Sequence, residues 1–237
     1  MSARIGILKP GSTFADMILR FGDYDAWFRR ALGDDVECVV HEPGTRLPDP
    51  ESAEGWIVTG ARDSVTSPGP GTGSLLDWIR DVARREVPLL GVCYGHQVVC
   101  EALGGRIERH PGGWEIGTTE VELTAAGRED PLFAGLPDRF RVQTTHEDYA
   151  ALLPPDATLL AVNPHTEAQA IAVGPTVRGV QFHPEVTEEI ARDFVDRRRH
   201  LVAAEPAVEA SPHAAGILAN FVDGFVRKRR AGVAGSG

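Results

Sequence analysis

Short apolar segments alternate with longer amphipathic segments over the first hundred residues, and this alternation constrains the fold more than any other feature. The apolar segments are RIGIL (4–8), VECVV (36–40), GWIVTG (55–60) and VPLLGVC (87–93). They are bounded by Gly, Pro or acidic residues, as buried strands are. FADMILRFGDYDAWFRRALG and SLLDWIRDVARREV carry apolar residues at helical spacing, and Ser74 is a candidate N-cap for the second. The alternation predicts an α/β fold, with parallel strands and helices on both faces.

The later parts of the chain differ in character. Residues 106–180 contain strand-like runs separated by turns, namely EIGTTEVELT, FRVQTTH, ATLLAVN and AQAIAVG, so we expect antiparallel strands to extend the sheet. Residues 187–230 are mostly helical in pattern, and the proline-containing stretch EPAVEASPH predicts a break between two helices. No domain boundary or fixed-period repeat is found. We therefore expect residues 1–230 to form one domain and 231–237 to be a flexible tail.

Charge and composition argue against several classes of partner. The formal net charge is −10, and since sequence-independent nucleic-acid binding depends on Lys and Arg, we expect no nucleic-acid partner. Two basic runs, RRRH (197–200) and RKRR (227–230), lie near predicted helix ends, where the helix dipole favours cations. The N-terminus lacks a signal-peptide pattern, and no segment approaches ~20 continuous apolar residues. We therefore expect a cytoplasmic protein without membrane contact.

Cys93 stands at the joint between an apolar run and a helical run, in VPLLGVCYGHQVVCEALGG (87–105). In open α/β sheets, ligands bind outside the carboxyl ends of strands. A sharp strand-to-helix turn, for which Gly91 and Gly95 give room, would present the thiol there, where a helix N-terminus favours a thiolate. A free cysteine is also often a small buried hydrophobe, and this segment alone leaves both interpretations open. Cys38 and Cys100 lie mid-strand and mid-helix, so we expect them in the core.

A thiolate nucleophile needs a base that titrates near neutral pH and usually a carboxylate that orients it. In VRGVQFHPEV (177–186), His183 stands two positions before Glu185 after an apolar run, so both side chains can project the same way. On its own, this motif could equally mark a surface histidine. The remaining histidines show no metal-site pattern, so no metal is expected; they are His41, His96, His110, His165, His200 and His213. We expect His96 to support the helix after Cys93.

Taken together, GVCYGHQ and VQFHPE resemble the two signature blocks of class I glutamine amidotransferase domains, about ninety residues apart and in that family's order. GHQVVCEALGGRIERHPGGWEIGTTEVEL is similar to free-standing members that resemble the amidotransferase part of GMP synthase, and to γ-glutamyl peptidases. The resemblance implies a flavodoxin-like fold with an antiparallel extension. It also implies a triad in which Cys93 is the nucleophile, His183 the acid/base and Glu185 the orienting carboxylate. No metal or organic cofactor is expected.

The resemblance assigns further residues around the thiol. It implies that the backbone N–H groups of Tyr94 and Gly60 form the oxyanion hole. The chain departs from the family pattern at Ala61 and Arg62, where many members have a second glycine or a serine. The larger side chains leave the backbone N–H available but put the expected pocket shape in question.

The resemblance also implies a substrate-binding side of the pocket. Gln97 matches the family's substrate-side glutamine. TTHEDY resembles a segment that contacts the glutamyl amino and carboxylate groups, so His146, Glu147 and Asp148 are expected to line the pocket. The alternative is that these three residues only shape a turn.

The implied reaction is hydrolysis of the side-chain amide of glutamine, or of a γ-glutamyl amide, through a γ-glutamyl thioester. The expected partner is therefore a small-molecule substrate. The sequence contains no phosphate-loop motif of the kind that binds ATP in a synthetase. Three interpretations of the chain's role stay open. The chain is a free-standing γ-glutamyl hydrolase, a glutaminase subunit that delivers ammonia to a separate synthetase, or a non-catalytic binding protein on the same fold. An exposed apolar patch beside the pocket would favour the second. The cysteine-elbow proteins of the related chaperone and protease-like superfamily would not be expected to carry QFHPE.

Overall fold

The computed structural model describes residues 2–42 and 46–234, with the backbone alone described for 232–234. The strands are β1 (Ala3–Leu8), β2 (Val36–His41), β3 (Gly55–Val58), β4 (Leu89–Val92), β5 (Arg106–Arg109), β6 (Glu115–Leu123), β7 (Arg139–His146), β8 (Asp148–Leu152), β9 (Ala157–Val162), β10 (Ala170–Val173) and β11 (Val177–Val180). The α-helices are α1 (Ala15–Phe21), α2 (Tyr24–Leu32), α3 (Thr72–Arg84), α4 (Tyr94–Ala102), α5 (Ala125–Glu129), α6 (Glu188–Arg198), α7 (Gly216–Phe221) and α8 (Lys228–Ala234). A π-helical segment, Val222–Arg227, joins α7 to α8.

The predicted α/β fold is confirmed by the order and direction of the strands. The described residues form a nine-stranded sheet in the order β2-β1-β3-β4-β11-β10-β9-β6-β7, and β5 pairs with β8 in a separate two-stranded sheet. Five neighbouring strands of this sheet run parallel, in the order β2, β1, β3, β4 and β11. Beyond them, β10, β9, β6 and β7 extend the sheet through antiparallel pairings. The apolar segments of the first hundred residues are therefore the parallel strands β1 to β4.

Helices cover both faces of the sheet. On one face, Phe28 of α2 and Phe221 of α7 pack with Ile5 of β1 in a buried cluster. On the other face, Ile79 of α3 and Val98 of α4 belong to a second cluster. The edge strand β2 is only partly buried, so the prediction of a buried strand at 36–40 is wrong. The parallel strands β1, β3 and β4 are buried on both faces, so their sequences are short continuous apolar runs rather than alternating ones. Their carboxyl ends meet at one edge of the sheet, where Cys93 follows β4.

The two amphipathic segments form helices with boundaries that the sequence did not fully predict. The first divides into two: Gly22 ends α1 with a φ of 83°, and Asp23 then N-caps α2 by accepting a hydrogen bond from the next backbone N–H. The second starts earlier than expected, since α3 begins at Thr72 and its N-cap residue is Gly71, with a φ of 92°. Ser74 therefore lies inside the first turn, and its predicted capping role is wrong.

The C-terminal part follows the predicted division into helices. The helix α6 ends at Arg198 and α7 begins at Gly216, with the proline-containing stretch between them. The expected tail, 231–237, overlaps α8, which continues to Ala234, while residues 235–237 lie outside the described part of the chain.

Among the helices of residues 2–42 and 46–234, none combines the length and the apolar content that crossing a bilayer requires.

Candidate active site

Cys93 occupies a sharp turn between β4 and α4. Its backbone has φ 53° and ψ −104°, a conformation that residues with a Cβ rarely adopt. Its N–H donates to the carbonyl oxygen of Val180 at 2.9 Å. The predicted need for glycine on both sides is confirmed, because a Cβ at Gly91 would lie 2.4 Å from the Gly95 carbonyl oxygen, and one at Gly95 would lie 2.1 Å from that of Val58. The turn therefore places the thiol at the carboxyl edge of the sheet.

His183 follows β11 at the same edge and pairs with Glu185. His183 Nδ1 lies 2.7 Å from Glu185 Oε1, and the two side chains are 3% and 0% exposed. The other ring nitrogen, Nε2, is buried and has no hydrogen-bond partner among the described residues; the same holds for Glu185 Oε2. Cys93 acts electrostatically on the His183 ring. His183 and Glu185 therefore form a buried pair at the sheet edge that also carries Cys93.

The pKa of His183 is raised even though the residue is buried. Burial disfavours the imidazolium, but the charges of Glu185 and Cys93, together with the hydrogen bond to Glu185, outweigh burial and raise the pKa of His183 to about 10. The imidazolium is therefore the favoured form at neutral pH, with a proton held beside Cys93. A histidine in this setting can give a proton to a leaving group and take one back from water.

Gly60 and Tyr94 bring two backbone N–H groups to this edge. Tyr94 is the first residue of α4, a position at which the N–H has no acceptor within the helix. Gly60 comes two residues after β3. Within the described residues, neither N–H donates to a backbone carbonyl. Gly60 also lies against His183, since a Cβ there would lie 2.9 Å from Cε1 of the ring. Free donors beside a nucleophile can hold a developing oxyanion.

A cavity of about 230 Å³ opens beside Cys93. Gln97, on α4, donates from Nε2 to the Asp148 carbonyl oxygen at 2.9 Å. The Asp148 carboxylate accepts a hydrogen bond from the Ser64 hydroxyl, which ties the loop after β3 to the start of β8. The structure brings the following predicted site residues together as lining of this cavity: Cys93, Tyr94, Gln97, His146, Glu147 and Asp148.

His146 is held on both ring nitrogens by a buried polar network. Its Nδ1 lies 3.0 Å from the Asp148 carbonyl oxygen and its Nε2 lies 2.9 Å from Glu115 Oε2. Burial raises the pKa of the Glu115 carboxyl, but hydrogen bonds from His146 and Asn163 outweigh burial and hold this pKa below its usual value. The network fixes the backbone at Asp148, so His146 both lines the cavity and shapes the turn. Glu115 lies in the segment that is similar to γ-glutamyl peptidases, but it was not predicted as a site residue.

Several side chains of the cavity were not predicted as site residues. Arg198, the last residue of α6, donates to the Thr145 hydroxyl, and its guanidinium lies 5.0 Å from the Trp114 ring. The basic run at 197–200 suits a helix end, and nothing in it indicates a cavity. Trp114, by contrast, lies in the segment GHQVVCEALGGRIERHPGGWEIGTTEVEL, which is similar to γ-glutamyl peptidases. Ala61 and Arg62, the departures from the family pattern, also line the cavity. The remaining unpredicted lining residues are Asp63, Ser64, Arg109 and Thr145.

The other thiols are core residues, as expected. Burial raises the pKa of Cys100 to about 12 and raises the pKa of the half-buried Cys38, so both are neutral thiols at neutral pH. His96 is fully buried, and burial lowers its pKa to about 3. It packs against β11, where a Cβ at Gly179 would lie 2.6 Å from its Nδ1. In the described part of the chain, no three His, Cys, Asp or Glu side chains are grouped to hold a metal ion.

Comparisons with known proteins point to one family. The model of the family described as glutamine amidotransferase class-I matches residues 30–199. The glutamine-hydrolyzing GMP synthase of Aeropyrum pernix is 36% identical over 200 residues, which cover 83% of this chain and 37% of that protein. The chain therefore spans only about a third of that relative's length.

Two further relatives match over most of their own length. Gamma-glutamyl peptidase 4 of Arabidopsis thaliana is 28% identical over 198 residues, which cover 81% of this chain and 78% of that protein. The crystal structure of a glutamine amidotransferase from Methylobacillus flagellatus matches with a TM-score of 0.73 and 19% identity, over 95% of this chain and 96% of that one. The last match is a likeness in fold.

Proposed function

Because the chain belongs to the class-I glutamine amidotransferase family, we propose that it hydrolyses the side-chain amide of glutamine or of a γ-glutamyl compound. The observation that carries the proposal is the presentation of Cys93 beside a buried histidine, whose Nδ1 lies 2.7 Å from Glu185 Oε1. Nucleophile, base and orienting carboxylate are the parts that acyl transfer through a thioester needs.

In the proposed mechanism, the Cys93 thiolate attacks the side-chain carbonyl carbon of the substrate. The backbone N–H groups of Gly60 and Tyr94 stabilise the oxyanion. Loss of one such donor typically raises the activation barrier by about 3 to 4 kcal/mol. His183, oriented by Glu185, protonates the leaving nitrogen as the C–N bond breaks. The same histidine then takes a proton from water, which attacks the thioester and releases glutamate and the free thiol. These steps use only groups of the chain itself.

The free-standing γ-glutamyl hydrolase is the first form of this proposal. It is supported by the Arabidopsis γ-glutamyl peptidase, which the chain matches over most of its length. It is also supported by the position of the exposed large apolar side chains. Among the described residues these are Ile18, Leu19, Leu152 and Leu201, and none of them lines the cavity. The lining of the cavity therefore includes none of these exposed apolar side chains.

The second form is a glutaminase subunit that delivers ammonia to a separate synthetase. It is supported by the Aeropyrum GMP synthase, of which the chain matches 37%. The proposed site would be the same in both forms, because either one begins with attack on a side-chain amide. They differ in what the purified chain does alone, since a subunit of this kind turns over fully only with its partner.

The test is release of ammonia or amine by the purified protein, with glutamine and a panel of γ-glutamyl dipeptides and amides. We expect Cys93→Ala to abolish turnover and Cys38→Ala, which removes a half-buried thiol of β2, to retain it. Turnover of a γ-glutamyl compound by the chain alone supports the first form. A folded Cys93→Ala variant that turned over at the wild-type rate would overturn the mechanism. If no compound released ammonia or amine, the result would favour the glutaminase subunit or the non-catalytic alternative.

A further inference from the structure

Two arginines at the cavity, Arg62 and Arg198, carry charges that no carboxylate balances. Both line the cavity beside Cys93. Within residues 2–42 and 46–234, no carboxylate lies within ion-pair distance of either guanidinium, although Asp63 also lines the cavity. Their neighbour Arg109, by contrast, lies 3.8 Å from Glu147. An unbalanced pair of cations at a cavity favours an anionic ligand.

Aromatic rings hold both guanidiniums in place. The Arg62 guanidinium lies 4.1 Å from the centre of the Phe14 ring, and that of Arg198 lies 5.7 Å from the same ring. Arg198 also contacts the rings of Trp114 and Phe194, at 5.0 and 5.2 Å. Ring faces stabilise a cation without neutralising it, so the two positive charges stay available. Since both groups also line the same cavity, one ligand in that cavity can meet both of them.

The pair lies within electrostatic reach of the reacting atoms. Burial lowers the pKa of Arg198, and a negative charge on Cys93 acts in the opposite direction. A Cβ built on Gly60 would lie 3.6 Å from the Tyr24 ring and 2.9 Å from His183 Cε1, so both rings border Gly60. Because the leaving nitrogen must lie next to His183, an anionic group attached to the leaving amine can reach the arginines. The glutamyl part would lie beside Gln97, which lines the same cavity.

We propose that Arg62 and Arg198 bind a carboxylate on the leaving amine, so that the preferred substrates are γ-glutamyl amino acids rather than glutamine or γ-glutamyl alkylamides. This inference rests on the proposed function and names its substrate class. The guanidinium fork suits a carboxylate, with two parallel charge-assisted hydrogen bonds. Water adds across the amide C–N bond, His183 supplies the proton to the leaving nitrogen, and the products are glutamate and a free amino acid.

The test compares γ-glutamylalanine with γ-glutamylalaninamide, which differ only in whether the leaving amine carries a carboxylate or a neutral amide. We expect kcat/KM to be about tenfold to a hundredfold higher for the acid, as hydrogen bonds to a charged group predict. Arg62→Met and Arg198→Met should each bring the ratio of the two kcat/KM values towards one, mainly through KM. Arg192→Met is the control, because it removes an exposed charge of α6 that pairs with Glu188, and the ratio should stay at its wild-type value.

Binding to the Cys93→Ala variant, measured by calorimetry, separates this inference from the proposed function. Tighter binding of the acid than of the amide, lost when Arg62→Met is added, supports the carboxylate site even without turnover. Equal kcat/KM values for the two compounds in the wild-type protein, or equal affinities in the Cys93→Ala protein, would overturn it. Because Arg62 is exposed, its variant remains informative if Arg198→Met fails to fold.

Discussion

Replacing Gly60 with alanine would place a methyl group against the ring of His183. The new Cβ would lie 2.9 Å from His183 Cε1, whereas ordinary contacts begin at 3.4 Å, so the ring or the loop must move by about half an ångström. The ring cannot retreat freely, because its side chain is 3% exposed and its Nδ1 is held 2.7 Å from Glu185. The φ of Gly60 lies outside the left-handed region, so the backbone itself tolerates alanine.

Two effects of Gly60→Ala follow from this geometry. Overpacking of a tight site costs about 1 to 3 kcal/mol in the free energy of unfolding. A misplacement approaching 1 Å in a catalytic group costs up to about a hundredfold in rate, so we expect kcat/KM to fall about tenfold or more. The backbone N–H of residue 60 is retained, so this loss would not come from a missing oxyanion donor.

The assay combines urea unfolding with kcat/KM for the best substrate of the γ-glutamyl panel. Gly73→Ala is the matched control, because Gly73 lies in α3 and a Cβ there meets nothing within 4 Å. The control should leave both quantities unchanged or stabilise the helix slightly. A folded Gly60→Ala protein with wild-type kcat/KM would refute the reasoning, since it would show that the His183 ring can move without consequence for turnover.

Further predictions follow from other contacts. Glu185→Gln removes the charge that favours protonated His183, so the pKa of that residue should fall from about 10 and the alkaline limb of the pH profile of kcat/KM should move to lower pH. Arg178→Met should lower the free energy of unfolding in urea by about 3 to 5 kcal/mol, because it leaves Asp130, now 2.9 Å away, as a buried unpaired carboxylate. Gly95→Ala should give no folded protein by circular dichroism, because its methyl group would lie 2.1 Å from a carbonyl oxygen of β3.

Each of these results has a contrary outcome. An alkaline limb of Glu185→Gln at the wild-type pH would show that this carboxylate does not act on His183. A wild-type urea midpoint for Arg178→Met would mean that the carboxylate of Asp130 needs no cation. A folded Gly95→Ala protein would show that α4 can move away from β3 without loss of the sheet.

The parallel half of the sheet could be predicted because its signals are local. The strands β1, β3 and β4 are buried on both faces and β2 lies partly buried at the sheet edge, and each is a short apolar run between turn residues. The pair β5 and β8 has no such signal: β5 is the charged stretch Arg106–Arg109, in which only Ile107 is buried, and its partner lies about forty residues away. Pairing at that distance depends on the rest of the fold, so a window of sequence does not reveal it.

The same distinction applies to the site. The positions of Cys93, His183 and Glu185 follow from two short motifs at the ends of adjacent strands, β4 and β11. Arg198 reaches the cavity only because α6 packs across the sheet edge, and Glu115 enters only through its contact with His146. Both depend on elements that meet in space but not in sequence.

The backbone of Cys93 has φ 53° and ψ −104°. At this position, the residue that is best for stability differs from the residue that the proposed turnover needs. Glycine adopts this region without the steric cost that any Cβ brings, so glycine would be less strained there than alanine or serine. A mutant library sorted only for thermal resistance would therefore favour glycine among the small residues at position 93. Such a chain keeps the cavity and loses the thiol, so screening for robust expression alone would enrich clones without the proposed nucleophile.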